Sequence, residues 1–146
     1  MKLSCPAFQH EGMVPPQYTC DGMDVNPPFT IEGVPEQARS LALVVDDPDA
    51  PGGDWVHWTM WNIDPSTSRI EGNTVPVGAV EGMTDFGRSG WGGPCPPSGT
   101  HRYQFKLYAL DAMLSLGNTA KKRDLEEAMK GHVLAQAVLA GKYSRR

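Results

Sequence analysis

Hydrophobic residues in this chain fall into short stretches with the length and spacing of β-strands. The clearest stretch, residues 40–46, is apolar on both faces, which predicts a strand lying deep in a sheet. Aromatic and β-branched residues predict a second strand over 55–63 and a third over 101–110. The segments 47–54 and 87–99 contain several prolines and glycines, which cannot continue a ladder of backbone hydrogen bonds. The pattern predicts an all-β core in which the three strands belong to one sheet.

Helical signals occur only near the C-terminus. Asp124 and Glu127 have the spacing of a capping box, and Gly131 is expected to break or end the helix that they begin. A second helix is predicted over 133–140. No repeat or linker interrupts the chain, so residues 1–146 are predicted to form a single all-β domain with short C-terminal helices.

Side chains alternate across a strand, and in each of the three strands a polar residue lies on a largely apolar face. In the first strand this face carries Leu41, Leu43, Val45 and Asp47. In the second it carries Trp55, His57, Thr59 and Trp61, and in the third His101, Tyr103, Phe105 and Leu107. Buried polar groups need hydrogen-bond partners. If the strands are neighbours, the polar groups line one small cavity that suits a compact anion such as phosphate, sulfate or a carboxylate. These groups are Asp47, His57, His101 and Tyr103.

The glycine- and proline-rich segment before His101 adds to this prediction. Its glycines allow the backbone to approach a ligand and to form an anion-binding nest of N–H groups, and its prolines stiffen the loop. Asp47 is expected to fix the tautomer of one histidine. The short turn after Asp47 is expected to contain a cis peptide bond at Ala50–Pro51. The alternative is that each histidine is an ordinary core residue, hydrogen-bonded within the protein.

Composition and charge narrow the class of protein. The chain has 146 residues and a formal net charge of −4, and its basic clusters are limited to residues 121–123 and 145–146. Nucleic-acid binding needs a clustered cationic surface, so nucleic acid is not expected as a partner. No apolar run approaches the roughly 20 residues that span a bilayer, and no signal peptide is visible. No membrane span is expected.

Three cysteines, at Cys5, Cys20 and Cys95, make an odd number without a Cys-x-x-Cys pair. No histidine spacing completes a zinc site, so neither a metal nor a cofactor is expected. Free thiols in a reducing cytoplasm are the favoured interpretation, which predicts a cytoplasmic location. One disulfide with a spare thiol is the alternative.

Two segments resemble the signatures of a known family. The first is Asp-Pro-Asp-Ala-Pro at 47–51, followed by Trp-Val-His-Trp at 55–58, and the second is Gly-Gly-Pro-Cys-Pro-Pro-Ser-Gly-Thr-His-Arg-Tyr at 92–103. Both are similar to the phosphatidylethanolamine-binding protein family, in its bacterial and archaeal Raf-kinase-inhibitor-like branch. The resemblance runs from Phe8 to Tyr143. It implies a β-sandwich of two antiparallel sheets with Greek-key connections, and a pocket for phosphate, acetate or a phospholipid head group.

The resemblance also implies a set of ligand-binding residues. Carried over by motif position, they are Asp47, Asp49, Trp55, His57, Pro97, His101 and Tyr103. Cys95 joins this set because it lies in the second segment, close to His101 in sequence. Eukaryotic members tend to carry glycine at the position of Cys95, so the rim of the pocket is expected to differ from theirs.

The favoured function is a regulatory module that binds a phosphorylated or carboxylated group, with a protein kinase or a protease as partner. A serine protease inhibitor is one alternative. A hydrolase or thiol enzyme that uses an Asp–His–Cys pocket is another, but Thr59, Cys95 and Ser98 lack the motif of an activated nucleophile. The chain is therefore not expected to be an enzyme. Its apolar content and four tryptophans favour a homodimer.

Overall fold

A computed structural model describes residues 1–145 of the chain. These residues form short and long β-strands, a 3-10 helix at Pro16–Tyr18 and one α-helix, α1, at Lys122–Met129. The strands are β1 Lys2–Ser4, β2 Gly12–Met13, β3 Phe29–Glu32, β4 Ser40–Asp47, β5 Trp55–Ile63, β6 Arg69–Ile70, β7 Val80–Glu81, β8 Thr100–Leu110 and β9 Val133–Ser144. The predicted predominance of β-structure is confirmed.

The strands form two sheets. One has three strands in the order β1-β3-β6, and the other has six in the order β2-β9-β8-β4-β5-β7. The prediction that Val44, His57 and Phe105 lie in strands of one sheet is confirmed, because β4 pairs with both β5 and β8. The expectation of purely antiparallel sheets is wrong in one place, since β2 pairs with β9 in parallel. The Greek-key sandwich stays a prediction.

Strand β4 is the centre of the larger sheet and is buried along its whole length. On one face, Leu41 and Leu43 pack in a cluster that also contains Phe29 of the smaller sheet. On the other face, Val44 packs with Leu125 of α1. Both faces of β4 are therefore covered by other elements. This agrees with the prediction, made from its apolar residues on both faces, that the strand lies deep in a sheet.

The second predicted helix, over 133–140, is wrong. This stretch begins β9, which pairs with β8 through the whole length of that strand. Its alanines and two leucines favour a helix weakly, but the hydrogen bonds to β8 decide the structure. Helix α1 is present, although Asp124 is not its cap: Asp124 lies inside the first turn and accepts the Lys121 backbone N–H at 2.9 Å. Gly131, with φ of +80°, follows the end of α1 as predicted.

The cysteines are not all free. Cys20 and Cys95 form a disulfide, and Cys5 is a buried free thiol. The favoured interpretation of three free thiols is therefore wrong, and the alternative of one disulfide with a spare thiol is correct. Sequence spacing does not reveal this pair, because the two cysteines that the fold brings together are 75 positions apart in the chain. The predicted cytoplasmic location rested on free thiols, so the disulfide removes that argument, and the location stays a prediction.

No helix within residues 1–145 has both the length and the apolar composition needed to cross a membrane.

Candidate functional site

Antiparallel pairing brings three strand ends together at one edge of the larger sheet. The C-terminal end of β4 lies between the N-terminal ends of β5 and β8, so that Asp47 pairs with Trp55 and Asp46 pairs with Gln104. A cavity of about 240 Å³ opens at this point. Its lining residues are Asp47, Ala50, Pro51, Trp55, His57, Phe86, Cys95, Pro96, Pro97, His101 and Tyr103.

Seven of the eight residues predicted as ligand-binding line this one cavity. Asp49 does not: its carboxylate accepts the Arg102 backbone N–H at 3.0 Å and ties the turn after β4 to β8. Four lining residues were missed. Three of them, Ala50, Pro51 and Pro96, lie within the family signatures, but Phe86 lies in a long connection whose sequence shows no periodic pattern.

A β-bulge in β5 aims His57 into the cavity. Val45 of β4 pairs with Trp58, whereas Asp46 pairs with Val56, so His57 is the extra residue between two pairs. The predicted face shared by His57 and Trp61 is therefore wrong. Trp61 packs on the opposite side of the sheet, in the cluster beneath α1.

The His57 imidazole is held by the segment that follows Phe86. Its Nδ1 lies 2.6 Å from the Gly92 carbonyl oxygen, which only accepts, so Nδ1 carries the proton. The rings of Phe86 and Tyr103 pack edge-on against the imidazole, with centroids 5.3 and 5.2 Å away. Burial lowers the pKa of His57 below its usual value, although the Gly92 carbonyl and the charge of Asp47 oppose this.

The His101 imidazole is held by Asp47. Its Nδ1 lies 2.6 Å from Asp47 Oδ2, and both side chains are buried. The other carboxylate oxygen of Asp47 accepts the Asp49 backbone N–H at 2.8 Å, which forms a tight turn immediately after β4. All peptide bonds within residues 1–145 are trans, so the predicted cis bond at Ala50–Pro51 is wrong. The side-chain oxygen of Asp47 closes the turn without it.

Tyr103 lies between the two imidazoles, at 5.2 Å from His57 and 6.4 Å from His101 by ring centroids. Burial, together with the negative charge of Asp47, raises the pKa of Tyr103 far above its usual value. The hydroxyl is therefore protonated at all physiological pH values and can donate a hydrogen bond into the cavity. The site combines a phenol donor with two imidazoles whose Nδ1 atoms are already engaged.

Two glycines of the glycine-rich segment do not offer their N–H groups to the predicted nest. The Gly92 N–H donates to the His57 carbonyl at 3.0 Å, and the Gly93 N–H donates to Asp24 Oδ1 at 2.8 Å. Both glycines serve close packing within the protein: a Cβ on Gly92 would lie 2.3 Å from the Phe86 ring. The cavity wall is instead formed by Cys95 and the two prolines that follow it.

Similarity to known proteins agrees with the fold and the two signatures. A model of the phosphatidylethanolamine-binding protein family matches residues 4–144. The chain belongs to this family. Among curated relatives, a UPF0098 protein of Methanothermobacter thermautotrophicus is 50% identical over 150 aligned positions, which cover 99% of each chain. A UPF0098 protein of Pyrococcus horikoshii is 46% identical, over 95% of this chain and 74% of its own.

Two solved structures of the family share the whole fold. CT736 of Chlamydia trachomatis, a phosphatidylethanolamine-binding protein homolog, superposes with a TM-score of 0.96 at 39% identity, covering 99% of this chain and 97% of its own. YbcL of Escherichia coli, a member of the mammalian phosphatidylethanolamine-binding protein family, gives a TM-score of 0.92 at 30% identity, covering 99% and 98%. The resemblance found in the two sequence signatures is therefore confirmed at the level of the family.

Proposed function

We propose that the cavity at the end of β4 binds a small oxyanion, such as phosphate, a phosphate monoester or a carboxylate, and takes up a proton as it does so. The observation that carries this proposal is the pair of imidazoles, His57 and His101, that line one cavity with their Nδ1 atoms engaged. Within residues 1–145, neither Nε2 atom has a hydrogen-bond partner.

The engaged Nδ1 atoms determine what Nε2 can do. A neutral imidazole with its proton on Nδ1 presents only a lone pair at Nε2, and a lone pair repels an oxyanion. An imidazolium donates from both nitrogens and adds a positive charge, so it binds an oxyanion through a charge-assisted hydrogen bond. Since burial keeps His57 neutral near pH 7, the proton must arrive with the ligand or from solvent.

The remaining walls of the cavity suit a substituent on the anion. Trp55 and Phe86 meet edge to face at 5.5 Å, and each is a little over one third exposed. Pro51 and Pro97 continue this apolar rim. A phosphate monoester or carboxylate can place its charge at the histidines and its apolar part against the rim, which is the usual composition of a small-molecule site.

Calorimetric titration with sulfate tests this proposal, because sulfate does not titrate in the range of the histidines. We expect affinity to fall as pH rises from below the usual histidine value of about 6.5 towards neutrality, because His57 titrates below that value, and the measured enthalpy to vary with the ionisation enthalpy of the buffer. His101→Ala should lower affinity by about 10- to 100-fold, the loss of one charge-assisted hydrogen bond of roughly 1.5–3 kcal/mol.

His132 offers a matched control. It also faces a carboxylate, with Nδ1 2.7 Å from Asp111 Oδ1, but it lies on the surface at the far end of β8 and β9. His132→Ala should leave sulfate binding unchanged. The proposal is wrong if the double variant His57→Ala, His101→Ala binds sulfate as tightly as the parent.

The cavity acts in binding rather than in catalysis. The three nucleophile candidates support this: Cys95 is in a disulfide, Thr59 is fully buried, and Ser98 is not among the residues that line the cavity. A regulatory role, with a protein kinase or a protease as the partner, follows from the family resemblance and stays a prediction. The homodimer and the exclusion of nucleic acid also stay predictions.

A further inference from the structure

One wall of the anion cavity, formed by the segment 95–99, makes few hydrogen bonds to the rest of the protein. Before the wall, the Cys20 backbone N–H donates to the Pro94 carbonyl at 3.2 Å, and after it Thr100 pairs with Ser144 in the sheet. Residues 96–99 make no hydrogen bond to any other part of the chain within residues 1–145, and two of them are prolines without an N–H. The Cys20–Cys95 disulfide is the covalent tie at the start of this segment.

The disulfide is also open to solvent. Cys20 and Cys95 are both exposed, and Cys95 lines the cavity. The third cysteine contrasts with them: Cys5 is buried, and burial raises the pKa of its thiol, which makes it a poor thiolate. A reagent in solution therefore meets the disulfide beside the cavity, while Cys5 is shielded.

We infer that the Cys20–Cys95 disulfide is a redox modification site that controls the anion cavity. A small dithiol is the co-reactant. One of its thiolates attacks a sulfur of the disulfide to give a mixed disulfide, and its second thiol displaces that link. The protein gains two electrons and two protons and becomes a dithiol, while the reagent becomes a cyclic disulfide. Reduction leaves residues 95–99 without their covalent tie, and the wall beside His101 loses its fixed position.

Hydrogen bonds, and not only the disulfide, hold the segments on either side of it. Reduction is therefore expected to release the segment 95–99 and to leave these neighbouring segments in place. The Tyr18 carbonyl accepts the Trp91 indole N–H at 3.2 Å, and the Gly93 N–H is bound to Asp24. A preformed site binds more tightly than one that must be ordered by its ligand. The reduced protein is therefore expected to bind anions more weakly. This last consequence rests on the proposed anion binding, whereas release of the wall does not.

Two measurements on the Cys5→Ser protein test the inference, since serine at this position retains an acceptor for the Ala7 N–H. The protein is compared before and after treatment with dithiothreitol, by amide hydrogen exchange and by sulfate calorimetry. We expect exchange of the amides at 95 and 98–99 to rise at least about tenfold on reduction, with β4 and β8 still far more protected than these residues, and sulfate affinity to fall about tenfold. Reoxidation should restore both.

The Cys20→Ser, Cys95→Ser variant should behave as the reduced protein without any reagent. The inference is wrong if dithiothreitol leaves the disulfide intact in the folded protein, or if reduction changes neither exchange of the wall nor affinity. Faster exchange on reduction, with no sulfate binding by either form, would uphold the redox site and overturn the proposed function. Tight sulfate binding by both forms would uphold the proposed function and overturn control by the disulfide.

Discussion

His57 and Gly92 exchange two hydrogen bonds across the cavity wall. The His57 imidazole Nδ1 donates to the Gly92 carbonyl at 2.6 Å, and the Gly92 N–H donates to the His57 carbonyl at 3.0 Å. This double contact holds the bulged residue of β5 in place from both its backbone and its side chain. It also selects the Nδ1–H tautomer, which leaves Nε2 as the nitrogen that a ligand meets.

Gly92→Ala is expected to disturb the cavity while preserving the fold. The added Cβ would lie 2.3 Å from the ring of Phe86, which is partly exposed and can move outward. We expect the free energy of unfolding to fall by about 1–3 kcal/mol and anion affinity to fall as Phe86 leaves the wall. Denaturant unfolding and sulfate calorimetry measure the two effects. A variant with unchanged stability would show that Gly92 is not confined by Phe86.

His57 is expected to titrate below the usual histidine value of about 6.5, because burial disfavours the imidazolium. The unfolded chain then takes up its proton first as pH falls. Stability contributed by the neutral imidazole is present above pH 6.5 and is lost as pH falls towards the folded pKa. Two-dimensional NMR of the imidazoles measures this pKa, and added sulfate should raise it. Titration of His57 at or above 6.5 without ligand would contradict the assignment.

The disulfide is expected to stabilise the fold as well as the wall. It closes a loop between residues 75 positions apart, which restricts the unfolded chain. Reduction should lower the free energy of unfolding by about 2–4 kcal/mol, measured by denaturant unfolding with and without dithiothreitol. The same reagent should have no effect on the Cys20→Ser, Cys95→Ser variant. An effect of similar size on that variant would show that the reagent acts elsewhere.

Lys122→Met is expected to destabilise the protein through Asp46, which is 1% exposed. Asp46 Oδ2 accepts from Lys106 at 3.0 Å and from Lys122 at 2.8 Å. Burial opposes ionisation of Asp46, but these hydrogen bonds outweigh it and hold its pKa below the usual range. We expect the variant to lose about 1–3 kcal/mol at neutral pH.

The contribution of Asp46 is present above its unfolded pKa of about 3.9 and is lost as pH falls through its lower folded pKa. The difference between parent and Lys122→Met should therefore shrink in acid. Lys130→Met is the matched control, because Lys130, the residue directly after α1, pairs with the exposed Glu127 of that helix. It should have no measurable effect. Equal losses in the two variants would contradict the role of burial.

The homodimer is tested by light scattering at micromolar concentration, where we expect twice the chain mass of 15.9 kDa. The tryptophan content does not favour a homodimer, because Trp58, Trp61 and Trp91 are buried in the core. A different feature favours association: Val133 and Val138 of β9 are nearly half exposed, and β2 covers only the far end of this edge. A monomer mass would exclude the homodimer.

Much of the candidate site follows from the sequence because strand pattern and chain direction are local properties. Residues 40–46 are apolar on both faces and must lie between two layers. Asp47 ends that strand, and His101 begins another, so antiparallel pairing of the two strands brings both side chains to one edge. The family signatures then supplied Trp55 and Pro97, whose residue types alone carry no signal of a binding site.

The tertiary structure decided everything that depends on contacts between distant segments. The bulge at His57 arises from the pairing of β5 with β4 and reverses the expected faces beyond it. The strand β9 forms because β8 offers it a full set of hydrogen bonds, against a weak local preference for helix. The disulfide likewise depends on the folded proximity of Cys20 and Cys95. A sequence by itself determines local periodicity and the ends of strands, whereas register, bulges and cross-links are set by long-range pairing, whose energy exceeds that of local propensity.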